Sequence, residues 1–311
     1  MRIKILVTRK INDSAIKLLK EYFDVDCINK NEPLNPNFLI NNLCKYDGVL
    51  TTITEKITQN VLVNCKDNLK AISNMAAGFD NIDIKTAEDF GIKVFNTPDI
   101  VNDSTADMTI AMALTFLRKI NEACKYVIDD KWKAWDPEVF NGHTLRYLTW
   151  GIIGLGRVGK VVAKRLSGFD TKILFFDNDK NTGRLENIDI EYKNYEDVLE
   201  ESDIISFHIP LNENNRYSVN LDTFKMMKKK PVILNMSRGE IIVTDSLIYA
   251  LENDMISGAI LDVTDPEPIS ANHPLLQFKN ILITPHIGTA TLECRRDMAL
   301  KAAQNLIDYF V

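Results

Sequence analysis

Short apolar runs alternate with amphipathic stretches almost from end to end of this chain. IKILV (3–7), DVDCI (24–28), DGVLT (47–51), LKAIS (69–73) and IKVFN (92–96) have the length and aliphatic character of strands. Between them, segments such as SAIKLLKEYF place Ile16, Leu19 and Phe23 at helical spacing. Repeated βα units of this kind predict a parallel sheet covered by helices on both faces. A long helix is predicted over STADMTIAMALTFLRKINEACKYVI, with Asn102, Asp103 or Ser104 as its cap. The segment KWKAWDPEVFNGHTL follows, and then a second series. Its strands are expected at KILFFD (172–177), DIISFH (203–208), PVILN (231–235), SGAILD (257–262) and ILIT (281–284). TLECRRDMALKAAQNLIDYF reads as a closing helix. The layout this predicts is one α/β domain inserted in another, with the last helix returning to the first.

Composition narrows the function classes. The 311 residues suffice for two domains of ordinary size, and 45% hydrophobic with 26% charged residues fits a globular protein with a full core. A formal net charge of −6 leaves no basic surface on average, so no nucleic-acid partner is expected. Cys27, Cys44, Cys65, Cys124 and Cys294 are an odd, scattered set without metal-ligand spacing, which predicts free thiols in a reducing cytosol and no metal. The opening MRIKILVTRK is too brief for a signal peptide, and no run approaches ~18 apolar residues. The expected location is cytoplasmic, with no membrane partner.

Gly154, Gly156 and Gly159 form G-x-G-x-x-G within GIIGLGRVG, between a predicted strand and a predicted helix. Such a loop turns tightly, lets the backbone approach a pyrophosphate and packs the helix closely on the sheet. The helix amino end then favours the phosphate charge. Asp177 ends the next strand, where a carboxylate binds an adenosine ribose diol and repels a 2′-phosphate; Asp179 adds to the repulsion. NAD is favoured over NADP, although Lys180 and Arg184 lie close enough to blur the preference.

Three later segments each contribute one charged or titratable residue: SRGE with Arg238, DPEP with Glu267 and TPHIG with His286. Taken singly, a surface salt bridge, a turn carboxylate and a satisfied core histidine explain them equally well. A carboxylate beside an imidazole, however, favours the charged ring and holds one nitrogen as a donor. Following a dinucleotide cradle, the three supply what is needed to hold an oxo acid, polarise its carbonyl and protonate it while a nicotinamide delivers hydride.

These residues resemble the D-isomer-specific 2-hydroxyacid dehydrogenase family over nearly the whole chain, through AAGFDNID, NTPD, STADMTIAMAL, GIIGLGRVG, HIPLN, NMSRGE, LDVTDPEP and PHIGTAT. LDVTDPEP followed by NHPLL, together with KWKAW, is most similar to the glyoxylate/hydroxypyruvate reductase branch. The resemblance implies two doubly wound parallel-sheet domains. A Rossmann NAD-binding domain (99–287) is inserted into a flavodoxin-like substrate domain (1–98 and 288–311). It implies NAD(H)-dependent reduction of a small 2-oxo acid, glyoxylate or hydroxypyruvate first, to the D-2-hydroxy acid. The alternatives are D-lactate, 3-phosphoglycerate or 2-ketogluconate chemistry, or a non-catalytic NAD(H)-sensing corepressor.

Carried over by motif, Arg238 binds and orients the substrate, Glu267 supports the histidine, and His286 is the acid/base. Backbone amides at Ala77 and Gly78 hold the substrate carboxylate. Asp262 lies near the nicotinamide carboxamide, and Thr105, Arg157, Val158, His208, Pro210, Met236 and Gly288 line the cofactor. The resemblance also implies a homodimer, in which an aromatic of the KWKAW arm, Trp135, reaches the partner's site. Two departures stand out: the chain stops at Val311 without the tail many members carry, and Asp177 stands where mammalian-type glyoxylate reductases have a phosphate-tolerant loop.

Overall fold

The computed structural model describes every residue except Met1, Asn31, Arg184 and Glu186. Its contacts divide the chain into two compact units, one of residues Met1–Val101 with Thr289–Val311, the other of Asn102–Gly288. Arg184, weighed above for its effect on cofactor preference, lies outside the described residues.

The first unit is built on strands β1 (Lys4–Val7), β2 (Asp24–Cys27), β3 (Gly48–Thr51), β4 (Ala71–Asn74) and β5 (Lys93–Phe95). They pair in parallel in the order β2-β1-β3-β4-β5, a doubly wound sheet. The two-residue period of a strand sorts the core onto two faces. Ile5, Val7, Leu50 and Ala71 face a cluster that includes Leu19 and the closing helix Leu292–Phe310. Leu6, Val49 and Ile72 face the opposite cluster with Leu39, Leu62 and Ile92. The helix Asp13–Tyr22 starts where Asn12 accepts from the Ser14 amide at 3.0 Å, and the closing helix where Thr291 accepts from the Cys294 amide at 3.1 Å.

The second unit carries β6 (Thr149–Ile153), β7 (Lys172–Phe176), β8 (Glu191–Tyr192), β9 (Ile204–Phe207), β10 (Val232–Asn235), β11 (Gly258–Leu261) and β12 (Ile281–Ile283). The order is β12-β11-β10-β9-β6-β7-β8, with every pairing parallel. The order reverses at β6, and such a switch point opens a crevice at the carboxyl ends of the strands. Trp150 on β6 is fully buried, and its indole N–H donates to Ser206 Oγ at 2.8 Å, so the large ring leaves no orphaned donor.

Two expectations need correction. The long helix is two helices, Asn102–Leu117 and Ile120–Ile128. They are joined through Lys119 at φ 53°, a left-handed conformation that breaks an α-helix after one residue. The first buries Thr105, Ala106, Ile110 and Ala113, while the second buries no residue. Asn102, Asp103 and Ser104 all lie within the first helix rather than before it. Ser104 donates its hydroxyl to the Gly288 carbonyl at 2.8 Å, and Asp103 pairs with Arg165. The two-residue strand β8 was not anticipated, because Glu191–Tyr192 carries no apolar run. Among the described residues, no helix is long and apolar enough to cross a membrane.

Candidate active site

Because all seven strands of the second unit run parallel, the segments leaving their carboxyl ends emerge on one edge of that sheet. Gly154–Gly159 follow β6, Asp177 follows β7, His208 and Pro210 follow β9, Met236 and Arg238 follow β10, Asp262 and Glu267 follow β11, and His286 and Gly288 follow β12. Every candidate of this unit except Thr105, Arg157, Val158 and Gly159 therefore sits in a loop at that edge. Thr105 belongs to the helix Asn102–Leu117, and Arg157 and Val158 open the helix Arg157–Ser167.

The glycine loop fits a dinucleotide. Gly154 has φ +93°, and a Cβ there would lie 2.9 Å from the His208 carbonyl oxygen; a Cβ on Gly159 would meet the Gly154 carbonyl oxygen at 2.1 Å. Both positions therefore exclude a side chain. A Cβ on Gly156, by contrast, would meet nothing within 4 Å, which is open space beside the helix start. Gly156 offers that helix no capping side chain, and a helix amino end of this kind favours an anion. Asp177 accepts from the Leu155 amide at 2.8 Å through one carboxylate oxygen and from the Asp179 amide at 3.1 Å through the other. Lys180 places its ammonium over the Tyr192 ring, 5.2 Å from the centroid.

His286 and Glu267 meet. The imidazole Nδ1 lies 2.7 Å from Glu267 Oε1, with the two side chains 23% and 40% exposed. Burial pushes the Glu267 carboxyl up. The hydrogen bond and charge of His286, the Thr264 amide and the charge of Arg238 outweigh it and hold the carboxyl below its ordinary value. His286 itself has φ +54°, rare for a residue with a side chain. That turn is clamped from both sides: the His286 amide donates to the carbonyls of Asp262 (2.9 Å) and Thr284 (3.0 Å). The Asp262 carboxylate accepts from the Thr284 hydroxyl (2.6 Å), the Ile287 amide (2.8 Å) and the Gly288 amide (2.7 Å). Asp262 is thus buried but satisfied. Thr105, Met236 and Asp262 converge on Gly288, where a Cβ would lie 3.7, 3.3 and 3.1 Å from their side chains.

The loops bearing Arg238 and Glu267 touch directly. A Cβ on Gly239 would fall 2.0 Å from the Thr264 carbonyl oxygen, so only glycine allows the two backbones to lie so close. The Arg238 guanidinium donates to the Ser237 carbonyl at 2.8 Å, and Asn235 Nδ2 donates to the Arg238 carbonyl at 2.8 Å. Sequence reasoning missed Gly239 and the Tyr217 hydroxyl, which donates to Asp265 at 2.8 Å and ties a further loop to the Glu267 segment. It also missed the setting of His208, whose Nε2 is sealed from solvent without a partner. Gly239 next to Arg238 was visible; its close approach was not.

In the first unit, Ala77 is exposed and Gly78 half-buried in the loop between β4 and the helix Ile84–Asp89. Among the described residues, no group of three or more His, Cys, Asp or Glu side chains is disposed to hold a metal ion.

The family profile of the D-isomer specific 2-hydroxyacid dehydrogenase, NAD binding domain, matches residues 110–288. The chain belongs to that family and is an NAD(P)-dependent, glyoxylate reductase-like D-2-hydroxyacid dehydrogenase. It is 37% identical to the glyoxylate reductase of Thermococcus litoralis, over 99% of this chain and 94% of that protein. Among solved structures it is similar to a protein of Thermus thermophilus (33% identity, TM-score 0.89, 98% of this chain and 96% of the other). It is also similar to an NADPH-dependent glyoxylate/hydroxypyruvate reductase of Sinorhizobium meliloti, solved with NADP and malonate (27% identity, TM-score 0.85, 100% and 94%).

Proposed function

We propose that this enzyme reduces a small 2-oxo acid, glyoxylate or hydroxypyruvate before others, to the D-2-hydroxy acid with NADH. The observation that carries the reading is the His286–Glu267 pair at 2.7 Å, on the same sheet edge as Arg238 and the glycine loop. The first unit serves the substrate and the second the dinucleotide.

Gly154, Gly156 and Gly159 with Arg157 and Val158 hold the pyrophosphate, and Asp177 takes the adenosine ribose. Thr105, His208, Pro210, Met236, Asp262 and Gly288 line the remainder of the dinucleotide. When bound, the reduced nicotinamide supplies the hydride. The preference for NADH rests on Asp177 at the end of β7 and on Lys180, whose charge is directed over Tyr192.

Arg238 orients the 2-oxo acid and polarises it, and the amides of Ala77 and Gly78 hold its carboxylate. Glu267 engages Nδ1 of His286, which leaves Nε2 as the nitrogen that gives its proton to the carbonyl oxygen. The ring ends the step neutral and regains a proton from solvent. General acid catalysis of this kind contributes about 10²–10⁴-fold, and positioning by Arg238 and the amides much of the rest.

The enzyme works as a homodimer through the helix Ile120–Ile128 and the arm that follows it. Its five free cysteines suit a reducing, cytoplasmic setting.

Steady-state kinetics test the reading, with NADH and NADPH against glyoxylate, hydroxypyruvate, pyruvate and 2-oxoisocaproate. NADH with glyoxylate or hydroxypyruvate should give the highest kcat/KM, and His286→Ala should lose at least ~10²-fold in turnover while still binding NADH. Better use of NADPH would overturn the role given to Asp177. No turnover on any 2-oxo acid would favour a nicotinamide-sensing protein.

A further inference from the structure

Three consecutive carbonyls in the loop after β4 are each tied down by a side chain of the first unit. Thr97 donates its amide (2.8 Å) and its hydroxyl (3.2 Å) to the Ala76 carbonyl. Asn96 Nδ2 donates to the Ala77 carbonyl at 2.7 Å, and Asn74 Nδ2 to the Gly78 carbonyl at 2.9 Å. These anchors are themselves fixed. Asn305, buried on the closing helix, donates to the Asn96 carbonyl at 3.1 Å. Asn81, also buried, accepts from Asn74 at 2.9 Å and donates to the carbonyls of Thr52 (3.0 Å) and Glu55 (3.1 Å).

A trans peptide is planar, with its C=O and N–H pointing in opposite directions. The peptides of this loop are trans. Anchoring the carbonyls of Ala76, Ala77 and Gly78 therefore also aims the amides of Ala77, Gly78 and Phe79, each away from its anchor. Those three amides donate to no protein group among the described residues. Donors aimed in advance lose no orientational freedom when an anion arrives.

We propose that Asn96 is a positioning residue for substrate binding: through the Ala77 carbonyl it aims the Gly78 amide at the substrate carboxylate, as Thr97 aims the Ala77 amide through the Ala76 carbonyl. This rests on the reading that these amides hold the carboxylate. Asn96 touches no reacting atom, so its loss acts on substrate affinity and leaves the proton and hydride steps in place.

Asn96→Asp is the informative change, since it keeps the shape and replaces the donating nitrogen with oxygen. It should raise KM for glyoxylate, and the dissociation constant of oxamate from the NADH complex, by roughly 5- to 30-fold. The kcat, the NADH dissociation constant and the melting temperature should stay near wild type. Asn96→Ala, which removes the donor without adding charge, should do the same and serves if Asn96→Asp does not fold. Arg238→Lys provides the control for the underlying reading. Unchanged oxamate affinity in the Asn96 variants with weakened affinity in Arg238→Lys overturns the role of Asn96 alone. Unchanged affinity in all of them overturns the substrate site itself. A parallel loss of NADH binding or of kcat in the Asn96 variants would show a merely structural residue.

Discussion

The His208 ring, at the carboxyl end of β9, has its Nε2 sealed from solvent with no partner, and burial pushes its pKa down from 6.5 to about 4. Between those values the unfolded chain binds a proton that the folded chain does not. Stability therefore falls as pH drops through that window, by on the order of 3 kcal/mol for a single ring. Glu267 acts in a lower window: its depressed carboxyl stabilises the fold above the ordinary glutamate range, and that contribution is lost only as pH falls below it. The two effects are separable by melting curves. His208→Gln should flatten the decline in melting temperature between pH 6.5 and 4.5, and a slope equal to wild type would mean the ring is hydrated in the folded state. Nothing in HIPLN announces a sealed nitrogen, since its surroundings come from the packing of the loop after β9.

At the scale of elements, the carboxyl edge of the second sheet brings together residues far apart in the chain. Arg238 follows β10, Glu267 follows β11 and His286 follows β12, and those strands are adjacent. Adjacency alone does not fix the loops; the flush contact of Gly239 on Thr264 does. Gly239→Ala must push that backbone contact apart, and displacements of about 1 Å at a site cost around 10²-fold in rate. The variant should lose tenfold or more in turnover while its NADH affinity changes little, because the glycine loop after β6 is left alone. Full activity would show that the loops tolerate separation. The strand series was legible from apolar runs and their spacing. The break at Lys119 was not, because local propensity carries a helix straight through RKIN and no residue there announces a left-handed conformation.

At the scale of the molecule, the segment from Ile120 to Tyr147 leaves an unusual amount of apolar surface uncovered. Ile128, Trp132, Trp135 and Tyr147 are 82%, 63%, 83% and 82% exposed. Large aromatics grouped in this way mark an interaction surface more often than solvent-facing decoration. With the homodimer proposed above, light scattering should give twice the chain mass. Trp135→Ala should gain activity on bulkier 2-oxo acids relative to glyoxylate without losing the dimer. A fully active monomer would remove any action across subunits, and an unchanged substrate ranking would leave Trp135 as packing.

The sequence by itself determined the α/β class, the two strand series and the G-x-G-x-x-G turn. Each depends on periodicity or on residues adjacent in the chain, such as the strand, glycines and helix around Gly154. It also supplied Arg238, Glu267 and His286 as candidates, because charged residues at strand ends are visible in order. Only the tertiary structure decided what touches what. The 2.7 Å pairing of His286 with Glu267 depends on the neighbouring positions of β11 and β12. The clamp of Asp262 on the His286 turn needs a carboxylate buried beside residues 22 to 26 positions away. The Ala76, Ala77 and Gly78 carbonyls are held by Thr97, Asn96 and Asn74, and Asn96 is fixed in turn by Asn305 on the closing helix. Hydrogen bonds between distant segments leave no periodic trace in a chain, since their partners are chosen by the packing of the sheet and not by spacing along it.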